Sequence, residues 1–272
     1  MNKKYQSVRT LVIPAAGLGK RLRPLTFRTP KNLLKLGGKP IVEYAVQEAH
    51  DAGIESIVLV VSPRDKGRFE AYVRGAKKRF PGISFYIRTQ TKPFGNGHAV
   101  LQAGAFISRG PFAVRFPDDV IAGKESALSS LVHIFRKYES PVLLLKRIPK
   151  RDVSRYGVVK VKRATSSVYR IFDFVEKPPL HEAPSNLVII GGYVLTPPIL
   201  RHLKRLSKHM RRVEDGLWLV DAFKSHIASG RPFYGLEFKG KRLDCGSLAG
   251  FREAQKYMKS RAGRRFLAGE KA

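Results

Sequence analysis

The first apolar run of the chain, Thr10-Leu11-Val12-Ile13, is short, β-branched and stopped by Pro14, the pattern of a buried strand that ends at a turn. From Pro40 to Ala52 the positions Ile41, Tyr44, Ala45 and Glu48 recur with helical spacing, proline opens the first turn and Gly53 follows the last. Ser56 to Val61 reads as a second buried strand, Asp65 to Lys78 as a charged helix, and Ile83 to Ile87 as a third strand. A glycine-containing loop then leads to a helix with Ala99, Val100, Ala103, Phe106 and Ile107 on one side, and Phe112 to Phe116 forms the next strand. Strands alternating with helices in this way imply βαβ units, hence an α/β fold with a mostly parallel central sheet flanked by helices and ligands at the carboxyl ends of its strands.

Beyond Phe116 the pattern changes. Val142 to Lys146 is a strand, Gly157 to Val161 and Val168 to Glu176 form a hairpin, and Leu187 to Leu195 is a further strand. Helices near Pro198 to Leu206 and Leu217 to Ala228, a strand at Phe233 to Phe238 and a helix from Leu248 to Lys259 complete the pattern. No repeat, low-complexity tract or long linker divides residues 1–272, so the expectation is a single domain.

Composition narrows the picture. The chain has 43% hydrophobic residues over 272 positions, enough for a substantial core, and no apolar run near the ~18 residues that span a bilayer. Met1 to Thr10 carries Lys3 and Lys4 but no extended apolar stretch of a secretory leader, which predicts a cytoplasmic, uncleaved chain without membrane attachment. The single cysteine, Cys245, excludes an intrachain disulfide and is too few for a cysteine metal site, so any metal is held by oxygen. Against 21 acidic residues stand 52 Lys and Arg, a formal charge of +31 that favours polyanions: nucleic acid, acidic membrane surface or phosphorylated small molecules. Much of the excess lies in two blocks, Arg201 to Arg212 and the tail from Lys256 to Lys271, which read as solvated helix faces or frayed ends.

Four clusters carry candidate chemistry. Pro14-Ala15-Ala16-Gly17-Leu18-Gly19-Lys20-Arg21-Leu22 follows the first strand; glycines let backbone N–H groups approach a phosphate, and Lys20 and Arg21 add cationic donors. It is neither a dinucleotide fingerprint, since Leu22 stands where a third glycine belongs, nor a P-loop, and a strand-to-helix turn would use glycine in any case. Gln90 and Gly95-Asn96-Gly97-His98-Ala99 place an amide and bare backbone beside a helix start, able to pair with the edge of a base; His98 reads as a satisfied helix-start histidine rather than a general base. Asp118-Asp119 at a strand end and the distant Asp244 suit Mg²⁺, which takes few protein oxygens plus phosphates and water, although adjacent aspartates equally form turns or caps. Finally, Gly157, Glu176-Lys177-Pro178 and Gly191-Gly192-Tyr193 set a carboxylate and an ammonium side by side, suited to sugar hydroxyls and phosphate respectively.

Residues 17–40, with Gly-x-Gly-x-Arg-Leu, Pro30-Lys31 before Asn32-Leu33-Leu34, and Lys39-Pro40, resemble the N-terminal signature of sugar nucleotidylyltransferases, most of all the bacterial uridylyltransferase branch. The likeness continues through the Gln90 loop, Asp118 and Glu176-Lys177 to Asp244-Cys245-Gly246, covering about Leu11 to Phe251. It implies a Rossmann-like sheet of the nucleotide-diphospho-sugar transferase type with a β-rich sugar-binding insertion: a nucleotide half over about 10–120, a sugar-phosphate half over about 140–250 and a basic tail at 260–272. It implies that Ala16, Gly17, Gly19, Gln90 and Gly97 bind UTP, that Gly157, Glu176 and Lys177 bind glucose-1-phosphate, and that Asp118 and Asp244 hold Mg²⁺, Asp119 less so. Arg21, Lys31 and Lys177 would act on the reacting phosphates, giving UDP-glucose and pyrophosphate, in a homo-oligomer without a specific nucleic-acid partner.

Two departures stand out. Ser62 to Phe85 is compact where the family has a longer segment, and a family stretch of the form Glu-x-Gln-Leu-Thr-Asp-Ala appears as Gly216-Leu217-Trp218-Leu219-Val220-Asp221-Ala222, with three polar positions lost near the sugar side. The competing readings are the same reaction with dTTP, GTP or another sugar phosphate, and a non-catalytic relative that binds polyanions.

Overall fold

The structure, a computed structural model, describes residues 7–209 and 216–269; Arg211 and Arg212 of the first basic block and Lys271 of the tail lie outside them. In chain order the elements are β1 (Thr10–Pro14), β2 (Lys35–Leu36), β3 (Lys39–Pro40), α1 (Ile41–Asp51), β4 (Ser56–Val61), α2 (Lys66–Arg79), β5 (Ser84–Thr89), α3 (Gly95–Gln102), α4 (Gly104–Ile107), β6 (Phe112–Arg115), β7 (Asp119–Ala122) and α5 (Ala127–Tyr138). There follow β8 (Val142–Arg147), β9 (Gly157–Arg163), β10 (Val168–Glu176), β11 (Leu187–Leu195), α6 (Pro197–Ser207), α7 (Leu219–Ala228), β12 (Tyr234–Glu237), β13 (Lys241–Asp244), α8 (Leu248–Lys259) and α9 (Arg261–Leu267).

A nine-stranded sheet in the order β5-β4-β1-β6-β11-β8-β12-β10-β9 forms the centre. Alternate side chains of its strands enter opposite cores: Leu11, Ile13, Ile57 and Leu59 face α1, α2 and α5, whereas Val12, Val58 and Val60 face α3, α6 and α7. Both faces are covered, which is why these strands are continuous apolar runs rather than alternating ones.

The expectation of a mostly parallel sheet needs correction. Four neighbouring pairs are parallel (β5–β4, β4–β1, β1–β6, β8–β12) and four antiparallel (β6–β11, β11–β8, β12–β10, β10–β9). β4, β5 and β6 follow helical crossovers, which fix their parallel direction, and β12 follows α6 and α7 to lie parallel to β8; β9, β10 and β11 follow one another through loops and short turns, and so run antiparallel to their neighbours.

The helix expected through Ile107 breaks at Ala103, beside Gly104, a residue with poor helix propensity. The tail is not frayed over its described part. Ser260 caps α9 by accepting from the Gly263 amide at 3.1 Å, and Phe266 stacks on Tyr44 with centroids 5.8 Å apart.

Candidate active site

The parallel register of β1 with β6 pairs Thr10 with Phe112 and Val12 with Val114, so both strands end at the same edge of the sheet. The glycine loop leaves β1 there, and Asp118 follows β6 there. Gly19 has φ 63°, left-handed backbone that glycine adopts without a Cβ clash, and its carbonyl accepts from Thr26 Oγ1 at 2.9 Å. Among the described residues, no backbone or side-chain acceptor takes the N–H of Gly17, Leu18, Gly19 or Lys20, so the loop presents a run of free donors beside Lys31. Lys31 Nζ lies 2.7 Å from Asp118 Oδ2, joining the second predicted motif to the third.

Asp244 arrives by a device absent from the sequence reading. β7 and β13 form a separate antiparallel ribbon whose register pairs Asp119 with Asp244, and the Cys245 amide donates to the Asp118 carbonyl at 2.7 Å. A methyl placed on Gly246 would lie 3.1 Å from Asp244 Oδ1, 3.2 Å from Asp118 Oδ2 and 3.4 Å from Arg21 Nη2. Two carboxylates and a guanidinium thus surround one small gap, a donor set that fits Mg²⁺ completed by substrate oxygens and water. No group of three or more His, Cys, Asp or Glu suited to a metal occurs among the described residues, so phosphate would have to complete the shell.

The two adjacent aspartates do different work. Burial pushes the Asp118 carboxyl upward, but the charge and hydrogen bond of Lys31, aided by Arg21, hold it below the usual range. Asp119, the first residue of β7, accepts from Arg242 Nε at 2.7 Å and from the Gly191 amide at 2.9 Å, which ties β7, β11 and β13 together. Its carboxyl is raised by burial, with Arg242 opposing and Asp118 and Asp244 reinforcing the rise. Cys245 is buried, and burial together with the three aspartates pushes its thiol up to about 12, so it stays protonated and inert.

At the base-reading loop the structure places Gln90 and Gly97 close together but engaged. Gln90 Nε2 is 3.0 Å from the Gly95 carbonyl and 3.1 Å from His98 Nδ1, while the Gly97 amide donates to Leu217 O at 2.8 Å. A Cβ on Gly97 would strike that same oxygen at 2.9 Å, so glycine here permits close approach of the segment at Leu217 and Trp218, and its amide offers a base no free donor. His98 is braced at both ring nitrogens by Gln90 and Gln102, and burial lowers its proton affinity; the expected structural role fits this geometry.

Of the sugar-side residues, Gly157, Glu176 and Tyr193 line a cleft of about 170 Å³ together with Asn96 and Trp218, while Lys177 lies outside its lining with an exposed side chain. Register pairs Gly157 with Glu176, and Lys177 Nζ lies 3.3 Å from Glu176 Oε1. Lys177 has φ 46°, an uncommon conformation for a residue with a Cβ, fixed by its amide donating to Tyr156 O at 3.1 Å. Asn96 Oδ1 accepts the Leu219 amide at 2.8 Å and so anchors the start of α7, which carries half-exposed Trp218 to the cleft wall.

Sequence reasoning missed Arg115, Glu48 and Arg242. Arg115 is 1% exposed; it grips Glu48 with Nε and Nη2 at 3.0 and 2.8 Å and donates to the carbonyls of Gly191 at 2.6 Å and Asp119 at 3.0 Å. An arginine closing the apolar run Phe112-Ala113-Val114 was the available signal, because a buried charge needs a partner. Arg242 offered none, as its partner Asp119 is 123 residues away.

This fold and this edge of the sheet define a nucleotidyl transferase: the family model for nucleotidyl transferases matches residues 10–261, and the chain belongs to that family. Within it, the chain is 35% identical over 267 residues to the UTP–glucose-1-phosphate uridylyltransferase of Bacillus subtilis (strain 168), covering 90% of this chain and 89% of that protein. It is 34% identical over 256 residues to the enzyme of the same name from Komagataeibacter xylinus, covering 87% and 88%. A UDP-glucose pyrophosphorylase solved in complex with UDP-glucose superposes with a TM-score of 0.82 at 31% identity, over 93% of this chain and all of that one. The UTP-bound enzyme of Acinetobacter baumannii gives 0.80 at 26%, covering 96% and 98%.

Proposed function

We propose that this chain transfers the uridylyl group of UTP to glucose-1-phosphate, forming UDP-glucose and pyrophosphate. The observation that carries the reading is the convergence of Arg21, Lys31, Asp118 and Asp244 beside the free amides of the glycine loop, next to a cleft edged by Glu176 and Gly157. A phosphate oxygen of the sugar phosphate attacks the α-phosphorus of UTP in line, the bond to the β,γ-phosphates breaks, and pyrophosphate leaves. No protein nucleophile takes part.

The residues act by position and charge. Amides of Gly17 and Gly19, flanked by Ala16, cradle the triphosphate, and Arg21 lies across the gap from the two aspartates. Lys31, held against Asp118 until substrate arrives, is placed to turn to phosphate, while Lys177 meets the sugar phosphate and Glu176 accepts from sugar hydroxyls. Mg²⁺ held by Asp118 and Asp244 would neutralise charge growing on the departing pyrophosphate. Gln90 turns toward the base through whichever amide atom its ties to Gly95 and His98 leave available.

A second reading, the same transfer to a different sugar phosphate, is favoured by Trp218, an apolar face in the cleft where the family motif has an amide. The test is direct: incubate purified protein with UTP, glucose-1-phosphate and Mg²⁺ and measure UDP-glucose by chromatography. Formation of UDP-glucose, lost in Asp244→Asn, is expected. UDP-linked product with galactose-1-phosphate or N-acetylglucosamine-1-phosphate but none with glucose-1-phosphate would favour the second reading, and no product with any would contradict both.

A further inference from the structure

We infer that His98 is a positioning residue for nucleotide choice: its Nδ1 lone pair holds the Gln90 amide in the one orientation that leaves its oxygen, an acceptor, for the base. The inference rests on the proposed meeting of Gln90 with uracil and goes beyond it by naming the atom that reads the base and what fixes that atom.

Gln90 follows β5 directly, and its backbone N–H donates to Val61 O at 2.9 Å. Because β1, β4 and β5 run parallel, its side chain leaves the sheet at the edge that carries the glycine loop. An amide side chain has a donor end and an acceptor end and can offer either to a ligand. Here the choice is forced. The Gly95 carbonyl, 3.0 Å from Gln90 Nε2, can only accept, so the group facing it is the nitrogen. The other N–H of that nitrogen points at His98 Nδ1, 3.1 Å away, which accepts it only while it carries no proton. Both hydrogens are then spent. Oε1 has no partner among the described residues and is not one of their sealed polar atoms.

The ring is therefore the neutral tautomer with its proton on Nε2. Burial lowers its proton affinity and so keeps it neutral, and Phe94 meets it edge to face with centroids 5.2 Å apart, which fixes its plane. On the far side Gln102 Nε2 lies 3.1 Å from His98 Nε2 and 3.3 Å from the His98 carbonyl. Two amide nitrogens cannot both donate to one neutral imidazole, since one ring nitrogen carries a proton. The Gly95 carbonyl obliges Gln90 to be the donor; Gln102, whose other contact is a long one within its own helix, is the one that turns its oxygen to Nε2–H.

Uracil carries N3–H between its two carbonyls and satisfies the Gln90 oxygen. Cytosine has a lone pair at N3, which would face that oxygen with no hydrogen between them. Without an acceptor at His98, the amide can turn over and offer its NH2 to cytosine, giving up only the Gly95 contact.

Binding of UTP and of CTP, each with Mg²⁺ and without sugar phosphate, is titrated calorimetrically for wild type, His98→Leu, His98→Asn and Gln90→Leu. Asparagine sets an acceptor oxygen near the place of Nδ1, whereas leucine removes it. Wild type should favour UTP by about tenfold or more; His98→Leu should shrink that ratio about fivefold, and His98→Asn should hold it within about twofold. A histidine that merely supports α3 would weaken both nucleotides alike. Nitrogen NMR of protein carrying labelled histidine should place the His98 proton on Nε2, the signal being identified by its loss in His98→Asn. A ratio that falls in Gln90→Leu but not in His98→Leu, or a proton on Nδ1, would overturn the inference and leave both Gln90 and the proposed reaction in place. A wild type without preference, or an unchanged ratio in Gln90→Leu, would remove Gln90 from base recognition and the role of His98 with it.

Discussion

Asp118 and Asp119 are chain neighbours held by different partners, Lys31 for the first, Arg242 and the Gly191 amide for the second. Their substitutions should therefore separate. Asp118→Asn removes an oxygen from the substrate gap and should lower turnover by at least about 100-fold with the melting temperature nearly unchanged. Asp119→Ala strands Arg242 inside the protein and should lower unfolding free energy by about 3–5 kcal/mol, read by urea denaturation. Arg115→Met belongs with the second kind: it leaves Glu48 buried without its cation and frees the carbonyls of Gly191 and Asp119, so stability and turnover should fall together. Histidine titration gives a further expectation. Burial holds the proton affinities of His98 and His202 below that of a free histidine, so the unfolded chain binds protons first. Stability is then undiminished above the unfolded pKa and falls as pH drops below about 6.5, and His98→Gln should flatten part of that fall in melting scans between neutral and mildly acidic pH.

At the scale of elements, the β7–β13 ribbon delivers Asp244, and α8 and α9 brace it from behind through Phe251, Met258 and partly buried Phe266 and Leu267. In α9 a Cβ on Gly263 would meet Tyr257 O at 2.0 Å, so Gly263→Ala should push α9 off Gly37 and Tyr44 and destabilise by about 1–3 kcal/mol, visible as a lower melting temperature and faster proteolysis of the tail. These parts were the hardest to read from sequence, and the reason is physical. β1, β4 and β6 are buried on both faces and announce themselves as apolar runs; β7 and β13 are four residues each, and their pairing joins segments more than a hundred residues apart. Helix α5, though strongly amphipathic, escaped notice beside the aspartates, and the antiparallel entry of β11 depends on connections that local periodicity does not encode. The candidate site residues stood out more than the frame, because Gly17, Gly19, Lys31, Asp118, Glu176 and Lys177 form short motifs whose spacing can be seen without knowledge of the long-range contacts. Gly97 was legible as a special position but not in its use, since its neighbour Leu217 lies far along the chain.

Over the whole molecule, one edge of a mixed sheet gathers unpaired loop amides, cations and two carboxylates. Among the described residues no helix is long and apolar enough to cross a membrane, and the formal charge of the chain is +31. Recognition of one nucleotide in a shaped cleft responds less to salt than attraction along a polyphosphate chain. Raising salt from about 50 to 200 mM should leave the KM for UTP within a few-fold, whereas binding through six to ten phosphate contacts would weaken about 1,000-fold or more. The most direct measurement of the central claim is pyrophosphate release from UTP, dTTP, ATP, GTP and CTP, each with glucose-1-phosphate and Mg²⁺. A clear preference for UTP is the predicted result; preference for another nucleotide would contradict the assignment of the Gln90 loop to uracil, and no release from any of them would contradict the transfer to glucose-1-phosphate itself.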